Sequence, residues 1–269
     1  RVLAPKVTHE VYLHPSQVHR SLLESEEAAA YPMARAAIEN ALWDLYGKIT
    51  DDPLWKLVGG RATVPVQVPV SCSIGMLDVD QTLAAVRTAV AAGCSRIKLK
   101  IAPGRAYARA FAFLNEYPHI DIVLDANQSF TEANIDELRA LDTVRALWLE
   151  EPLDPRRAPA GAPTDFAARL KALQTQIDTP ICLDESIVTL KQAYYAIENE
   201  IAPCLAIKVG KFGGIQPVLE LIEYAQSHNV SVWMGGMYDT GISRRMHAAL
   251  QLIPGLNDPG DVGAVRPYF

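Results

Sequence analysis

The sequence predicts an α/β fold: a parallel (β/α)7β barrel of the TIM type, preceded by a short helical segment. Three observations predict it. From Val64 onward, short β-branched or apolar runs alternate with longer stretches of helical periodicity, the pattern of strand–helix units around a parallel sheet. The units count to seven clear ones and a weak eighth, which favours a barrel over an open doubly wound sheet, the other arrangement that periodicity allows. Several of the runs end on a charged side chain, and the C-terminal ends of barrel strands are where catalytic groups gather.

Residues 1–63 lack this alternation. A helix begins at Pro32, a residue suited to the first helical position, and its apolar face runs through Ala37, Ile38, Ala41, Leu42 and Leu45. A second helical pattern, Leu54 to Val58, stops at Gly59-Gly60. Such a segment lies outside the barrel, is too small for a secure core of its own and is expected to pack against something else. Residues 64–269 supply the barrel, with strands expected at Val66–Ser73, Arg96–Ile101, Ile120–Asp125, Ala146–Glu150, Ile181–Asp184, Leu205–Lys208, Val230–Met234 and near Leu256. Helical patterns between them include Asp80–Ala92, Glu132–Leu141, Leu190–Asn199 and Ile215–His228. The stretch Asp154–Thr164, with Pro155, Pro159, Pro163, Arg156 and Arg157, follows the fourth strand and denies itself regular structure. It reads equally as a loop at the mouth of the barrel and as a plain surface insertion.

Composition narrows the partners. Hydrophobic residues at 49% and charged residues at 21% exclude disorder, collagen and coiled coil. Lys and Arg total 25 against 31 acids, a net charge of −6, which argues against a protein that neutralises nucleic-acid phosphates. Small molecules are the expected partners. Apolar runs stop at about seven residues where a bilayer needs about 20, and the chain opens on Arg1 without a secretory apolar region, so no membrane and a cytoplasmic location are expected. Cys72, Cys94, Cys182 and Cys204 show no paired spacing and read as small buried thiols. The six histidines are scattered and form no helical metal pair.

The acids carry the chemistry. Three consecutive strand candidates end in Asp125, Glu150 and Asp184, with Asn127 and Glu185 beside two of them. Any one alone would read as a solvated or capping side chain. On neighbouring strands of a barrel they converge at one rim, where three carboxylates repel unless a cation sits among them. All-oxygen ligation favours a hard ion, magnesium above all, with manganese able to substitute. The second strand ends Lys98-Leu99-Lys100 and the sixth ends Lys208; strand periodicity puts Lys98 and Lys100 on one face, and the two strands stand opposite each other across an eight-strand mouth. A lysine base needs a lowered pKa, which a neighbouring ammonium such as Lys98 promotes. Abstraction of a proton next to a carboxylate is therefore the expected elementary step.

These residues resemble the enolase superfamily, whose lysine or histidine bases and magnesium-stabilised ene-diolates are a known pattern. Pro32 to Lys48 is similar to the helix of that family's capping domain, so residues 1–63 read as a partial capping domain and 64–269 as the catalytic barrel. Ser73-Ile74-Gly75, Asp125-Ala126-Asn127, Glu150-Glu151-Pro152-Leu153, Cys182 to Ser186, Ile207 to Gly214 and Gly235-Gly236-Met237 are similar to the muconate-lactonizing subgroup, and within it to the o-succinylbenzoate synthase and N-acylamino acid racemase branch.

The resemblance implies magnesium on Asp125, Glu150 and Asp184, supported by Asn127 and Glu185, with Lys100 as base, Lys98 assisting, and Lys208 working from the opposite face. It implies substrate contacts near Ser73, Gly235 and Met237, a small carboxylate substrate and room for a homo-oligomer. The implied activity is dehydration of a cyclohexadiene carboxylate to 2-succinylbenzoate in menaquinone synthesis. Racemisation of N-acylamino acids is the alternative, and another cycloisomerase or epimerase reaction of the subgroup is more remote. The family's early strands and mobile closing loop have no counterpart in the sequence, and the chain stops at Phe269 before the family's usual closing segment. The length therefore reads as that of an incomplete two-domain enzyme, and a catalytically silent fragment is the contrasting expectation.

Overall fold

The computed structural model describes residues 3–23, 26–62, 67–158, 161–162, 165–256 and 258–263. The expected boundary between residues 63 and 64, the strand start at Val66, and Pro159, Pro163 and Thr164 of the long loop lie outside the described residues. Seven strands form one parallel sheet in chain order: β1 Ser71–Ile74, β2 Arg96–Lys100, β3 Asp121–Asp125, β4 Leu149–Glu150, β5 Ile181–Leu183, β6 Cys204–Ile207 and β7 Ser231–Met234. Helices fill the crossovers, so the α/β class and the seven units agree with the sequence pattern.

The eighth unit differs. Leu256 is buried beyond the helix Gly241–Leu250, and no strand is described there. Gly260 and Asp261 instead link the two edge strands: Ser71 N–H donates to Gly260 O at 2.8 Å, and Asp261 N–H donates to Met234 O at 2.9 Å. Pro254, Gly255 and Pro259 punctuate this segment and interrupt strand pairing along its described residues.

Side chains alternate faces along the strands. Ile97, Leu99, Ile122, Leu124, Leu205 and Ile207 enter the large core between sheet and helices. Val123, Trp148, Cys182, Cys204, Ala206 and Trp233 form a second cluster on the other face of the strands. The next inward positions toward the C-terminal ends are Lys98, Lys100, Asp125 and Glu150, so the alternation that builds the core also delivers the charges.

Side-chain caps start the crossover helices: Asp78 and Gln81 form a capping box on Val79–Ala91, and Thr189 accepts from Gln192 N–H on Leu190–Glu198. Before the sheet, Pro15–Leu23 and Glu26–Ala30 precede Pro32–Thr50, and Leu3, Val18, Leu22 and Ala28 make a small core with Ile38 and Leu42. The sequence reading placed helix only from Pro32. Among the described residues, no helix is long and apolar enough to cross a membrane.

The cysteines require a correction. Cys72 on β1 and Cys94, just before β2, form a disulfide with Cα atoms 5.9 Å apart, while Cys182 and Cys204 are free and buried. Parallel pairing of β1 with β2 brings the first two together, a proximity that spacing along the chain does not encode.

Candidate active site

The charged layer lies above two tryptophans. Trp148 and Trp233 pack with ring centroids 5.6 Å apart and planes tilted by 39°, and the Lys98 ammonium sits 4.8 Å above the Trp233 ring. Lys98 is buried and donates to Glu150 Oε1 at 2.8 Å; its Nζ lies 2.9 Å from Asp125 Oδ2 and 3.6 Å from Asp261 Oδ2. Lys100, at the end of β2 and partly open to solvent, donates to Asp125 Oδ2 at 2.5 Å. Register explains this flank, because Lys100 pairs with Asp125 across β2–β3 and Asp125 with Glu150 across β3–β4.

The other flank begins one residue past a strand end. Asp184 follows β5 and Lys208 follows β6, and the Lys208 ammonium is bonded to Asp184 Oδ2. Lys211 also grips Asp184, through Oδ1 at 2.8 Å and through the backbone carbonyl. Gly235 lies against the Lys208 stem, where an added Cβ would come 3.0 Å from Lys208 Cε. A side chain there would press the Lys208 stem out of its place.

The ionisation states follow from burial set against these contacts. Burial raises the Glu150 carboxyl well above the usual range, with the charges of Asp125 and Asp184 adding to it and Lys98 opposing. Burial also acts on Asp125 and Asp184, but the two lysines beside each outweigh it and hold both carboxyls below their ordinary value. Burial alone would lower Lys98, yet Glu150, Asp261 and Asp125 hold it well above the lysine norm. Lys208 is likewise raised, burial being outweighed by Asp184. Both therefore stand as ammoniums, Lys98 among three carboxylates and Lys208 against Asp184.

The remaining expected residues fall around this net. Asn127 Nδ2 donates to Glu185 Oε1 at 2.8 Å, and Asn127 N–H donates to Asp125 Oδ1 at 3.0 Å. Ser73 is exposed on β1 in register with Lys98, and the exposed Met237 donates its N–H to Asp239 Oδ2 at 2.8 Å. Three residues carry more than their sequence signal suggested. Buried Glu151 accepts from Asp184 N–H at 2.8 Å and from Ser186 N–H at 2.6 Å, and so fixes the turn that holds Asp184. Its only sequence signal was its place in Glu150-Glu151-Pro152. Lys211 was signalled by its place in Ile207 to Gly214, and Asp261 had no signal beyond its charge.

Residues 81–260 match the family described as Enolase C-terminal domain-like, and residues 7–59 match the Mandelate racemase / muconate lactonizing enzyme, N-terminal domain. The chain belongs to the enolase superfamily. An o-succinylbenzoate synthase of Bacillus subtilis is 32% identical over 265 residues, covering 98% of this chain and 67% of that protein. An N-succinylamino acid racemase of Thermus thermophilus is 36% identical over 239 residues, covering 88% and 62%. A solved structure described as an unknown member of the enolase superfamily from Enterococcus faecalis V583 superposes with a TM-score of 0.84 at 30% identity, covering 98% of this chain and 68% of that one. The chain thus spans about two thirds of the length of these relatives.

Enolase-superfamily members generally use Mg2+. Among the described residues no group of three His, Cys, Asp or Glu side chains is arranged to hold a metal ion, and the lysine ammoniums lie between the carboxylates instead. One atom nonetheless fits a cation. Glu150 Oε2 is buried and has no hydrogen-bond partner among the described residues, which is costly for a carboxylate oxygen unless a positive charge completes it. A hard divalent ion beside that atom would meet oxygen donors of the kind it prefers.

Proposed function

We propose that this chain dehydrates a cyclohexadiene carboxylate to 2-succinylbenzoate, using a divalent cation, magnesium first and manganese as substitute, held by Asp125, Glu150 and Asp184. Supporting this is the placement of Lys100 beside Asp125 on one flank and Lys208 beside Asp184 on the other, with Lys98 and Glu150 between. When bound, the cation would neutralise the carboxylates and stabilise negative charge developing on a substrate carboxylate. Lys100 then exchanges its Asp125 contact for the substrate α-carbon and, as the free amine, takes the α-proton. The electron pair left behind spreads into the adjacent carboxylate. Departure of the β-hydroxyl with the proton returned by Lys100 releases water and restores the amine. Lys208 stays an ammonium and stabilises charge from the opposite face. Asn127 and Glu185 support the carboxylate turns, and Ser73, Gly235 and Met237 border the substrate.

N-acylamino acid racemisation is the second reading, favoured by the same second lysine. There Lys208 delivers a proton to the face opposite Lys100, and each base ends in the other's starting state. A closed (β/α)7β barrel of residues 64–269 under a partial capping domain of residues 1–63, acting in the cytoplasm on a small carboxylate, completes the proposal. A Cys72–Cys94 bridge is unusual in a reducing compartment, so thiol counting on protein purified under reducing and non-reducing conditions tests the location. The function itself is tested by incubation with magnesium and either the cyclohexadiene carboxylate or an N-succinyl amino acid in heavy water. Water loss to 2-succinylbenzoate supports the synthase, and α-deuterium incorporation supports the racemase. Neither reaction, with or without metal, would leave the silent fragment.

A further inference from the structure

Lys208 stands on a turn that is gripped from a distant part of the chain. Directly after it comes the one-turn helix Val209–Phe212, whose Lys211 and Phe212 N–H groups return to the Lys208 carbonyl at 2.9 and 3.3 Å. The turn closes on Gly213 (φ +86) and Gly214 (φ +144). Arg35, buried on the Pro32–Thr50 helix, donates from Nε to Gly213 O and from Nη2 to Phe212 O, both at 3.0 Å. One helical turn along, fully buried Glu39 accepts from Gln216 N–H at 2.7 Å, at the start of the helix Ile215–Ser227. Glu39 is itself held by Trp43 Nε1 at 3.3 Å and lies 3.1 Å from His19 Nδ1. A Cβ on Gly213 would strike the Arg35 guanidinium, and one on Gly214 would strike the Glu39 carboxylate. The fit is therefore close on both residues, in backbone conformations that also favour glycine.

We propose that Arg35 is a positioning residue for Lys208. Its planar fork fixes two successive carbonyls of the turn that Lys208 opens, which a single-point cation cannot do as well. The inference rests on the two-faced reading of the site given above. Lys100 lies within β2, where sheet register fixes it, so Arg35 serves only one of the two faces.

The test uses the full chain with magnesium in heavy water and both enantiomers of an N-succinyl amino acid. Lys208→Ala first identifies the enantiomer whose α-proton exchange depends on Lys208. Arg35→Met is then expected to slow exchange of that enantiomer on the order of 10- to 100-fold, the scale of a misplaced catalytic group, while the other enantiomer keeps the wild-type rate. Arg35→Lys, with one point of contact, should fall between. Equal slowing of both enantiomers, or of neither, overturns the proposal. Amide hydrogen exchange gives a readout without turnover: Arg35→Met should speed exchange at Phe212, Gly213 and Gly214 and leave the β2–β3 amides protected. Unchanged protection at those three amides would overturn the proposal, as would loss of protection throughout the protein. If the wild type exchanges neither enantiomer, the functional reading has failed and amide exchange alone decides the role of Arg35.

Discussion

The two flanks of the site carry the same kind of pair, a lysine on a carboxylate, but hold it by different means. On the Lys100 flank both lysines and both carboxylates are strand residues, and register across β2, β3 and β4 sets their spacing. On the Lys208 flank, Asp184 and Lys208 lie just past their strands, and Glu151, Lys211 and the distant Arg35 hold the turns. One flank is fixed by backbone pairing and the other by tertiary contacts. The difference predicts that the two will respond differently to substitution.

The largest effect should come from removing the sheet-held base. Lys100→Ala is expected to abolish dehydration and racemisation, a loss of at least about 10³-fold in kcat measured by product formation. Retention of either activity would remove Lys100 from the role of base. Lys98→Met tests the same flank without turnover. It leaves Asp125 and Glu150 buried beside each other, so thermal or denaturant unfolding should show a loss of about 3–5 kcal/mol. Added magnesium should raise the melting temperature of this variant more than that of the wild type, because a cation then replaces the lost ammonium.

On the turn-held flank, Gly214→Ala places a Cβ against the Glu39 carboxylate at a positive φ and should cost about 3 kcal/mol in denaturant unfolding. The same change at Gly75 on the β1 side meets open space and should cost less. The smallest effect concerns the start of the long loop. Buried Arg169, on the helix Phe166–Gln174, binds Glu132 and the carbonyls of Pro155 and Arg157, tying residues 155–157 to that helix. Burial would raise Glu132, but the Arg169 hydrogen bonds hold it below its ordinary value of 4.5. Its stabilising contribution is therefore complete above pH 4.5 and is lost as pH falls through the lower folded value. Glu132→Gln should flatten this part of the acid-unfolding curve, by about 1 kcal/mol or less.

What was legible in the sequence follows the same division. Period-two alternation exposed Lys98, Lys100, Asp125 and Glu150, because a strand announces its faces locally. Asp184 and Lys208 were readable as the ends of apolar runs, though each lies one residue beyond the paired strand. The roles of Arg35, Glu39 and Asp261 were not readable, and Glu151 was visible only as a member of Glu150-Glu151-Pro152. Their roles depend on which backbone groups the fold brings near, and neither periodicity nor spacing records that. The Cys72–Cys94 bridge was missed for the same reason, since its partners meet only through β1–β2 pairing. The eighth strand was expected from the count of units, whereas among the described residues the segment around Gly260 makes an isolated bridge to Val70 and a hydrogen bond from Asp261 to Met234.

The central claim is that two lysines serve opposite faces of one carboxylate substrate. Enantiomer-resolved α-deuterium incorporation into an N-succinyl amino acid, with magnesium, tests it most directly in the wild type, Lys100→Ala and Lys208→Ala. The account predicts incorporation from both enantiomers in the wild type, with each variant losing a different one. Absence of incorporation in the wild type, or loss of the same enantiomer in both variants, would contradict it.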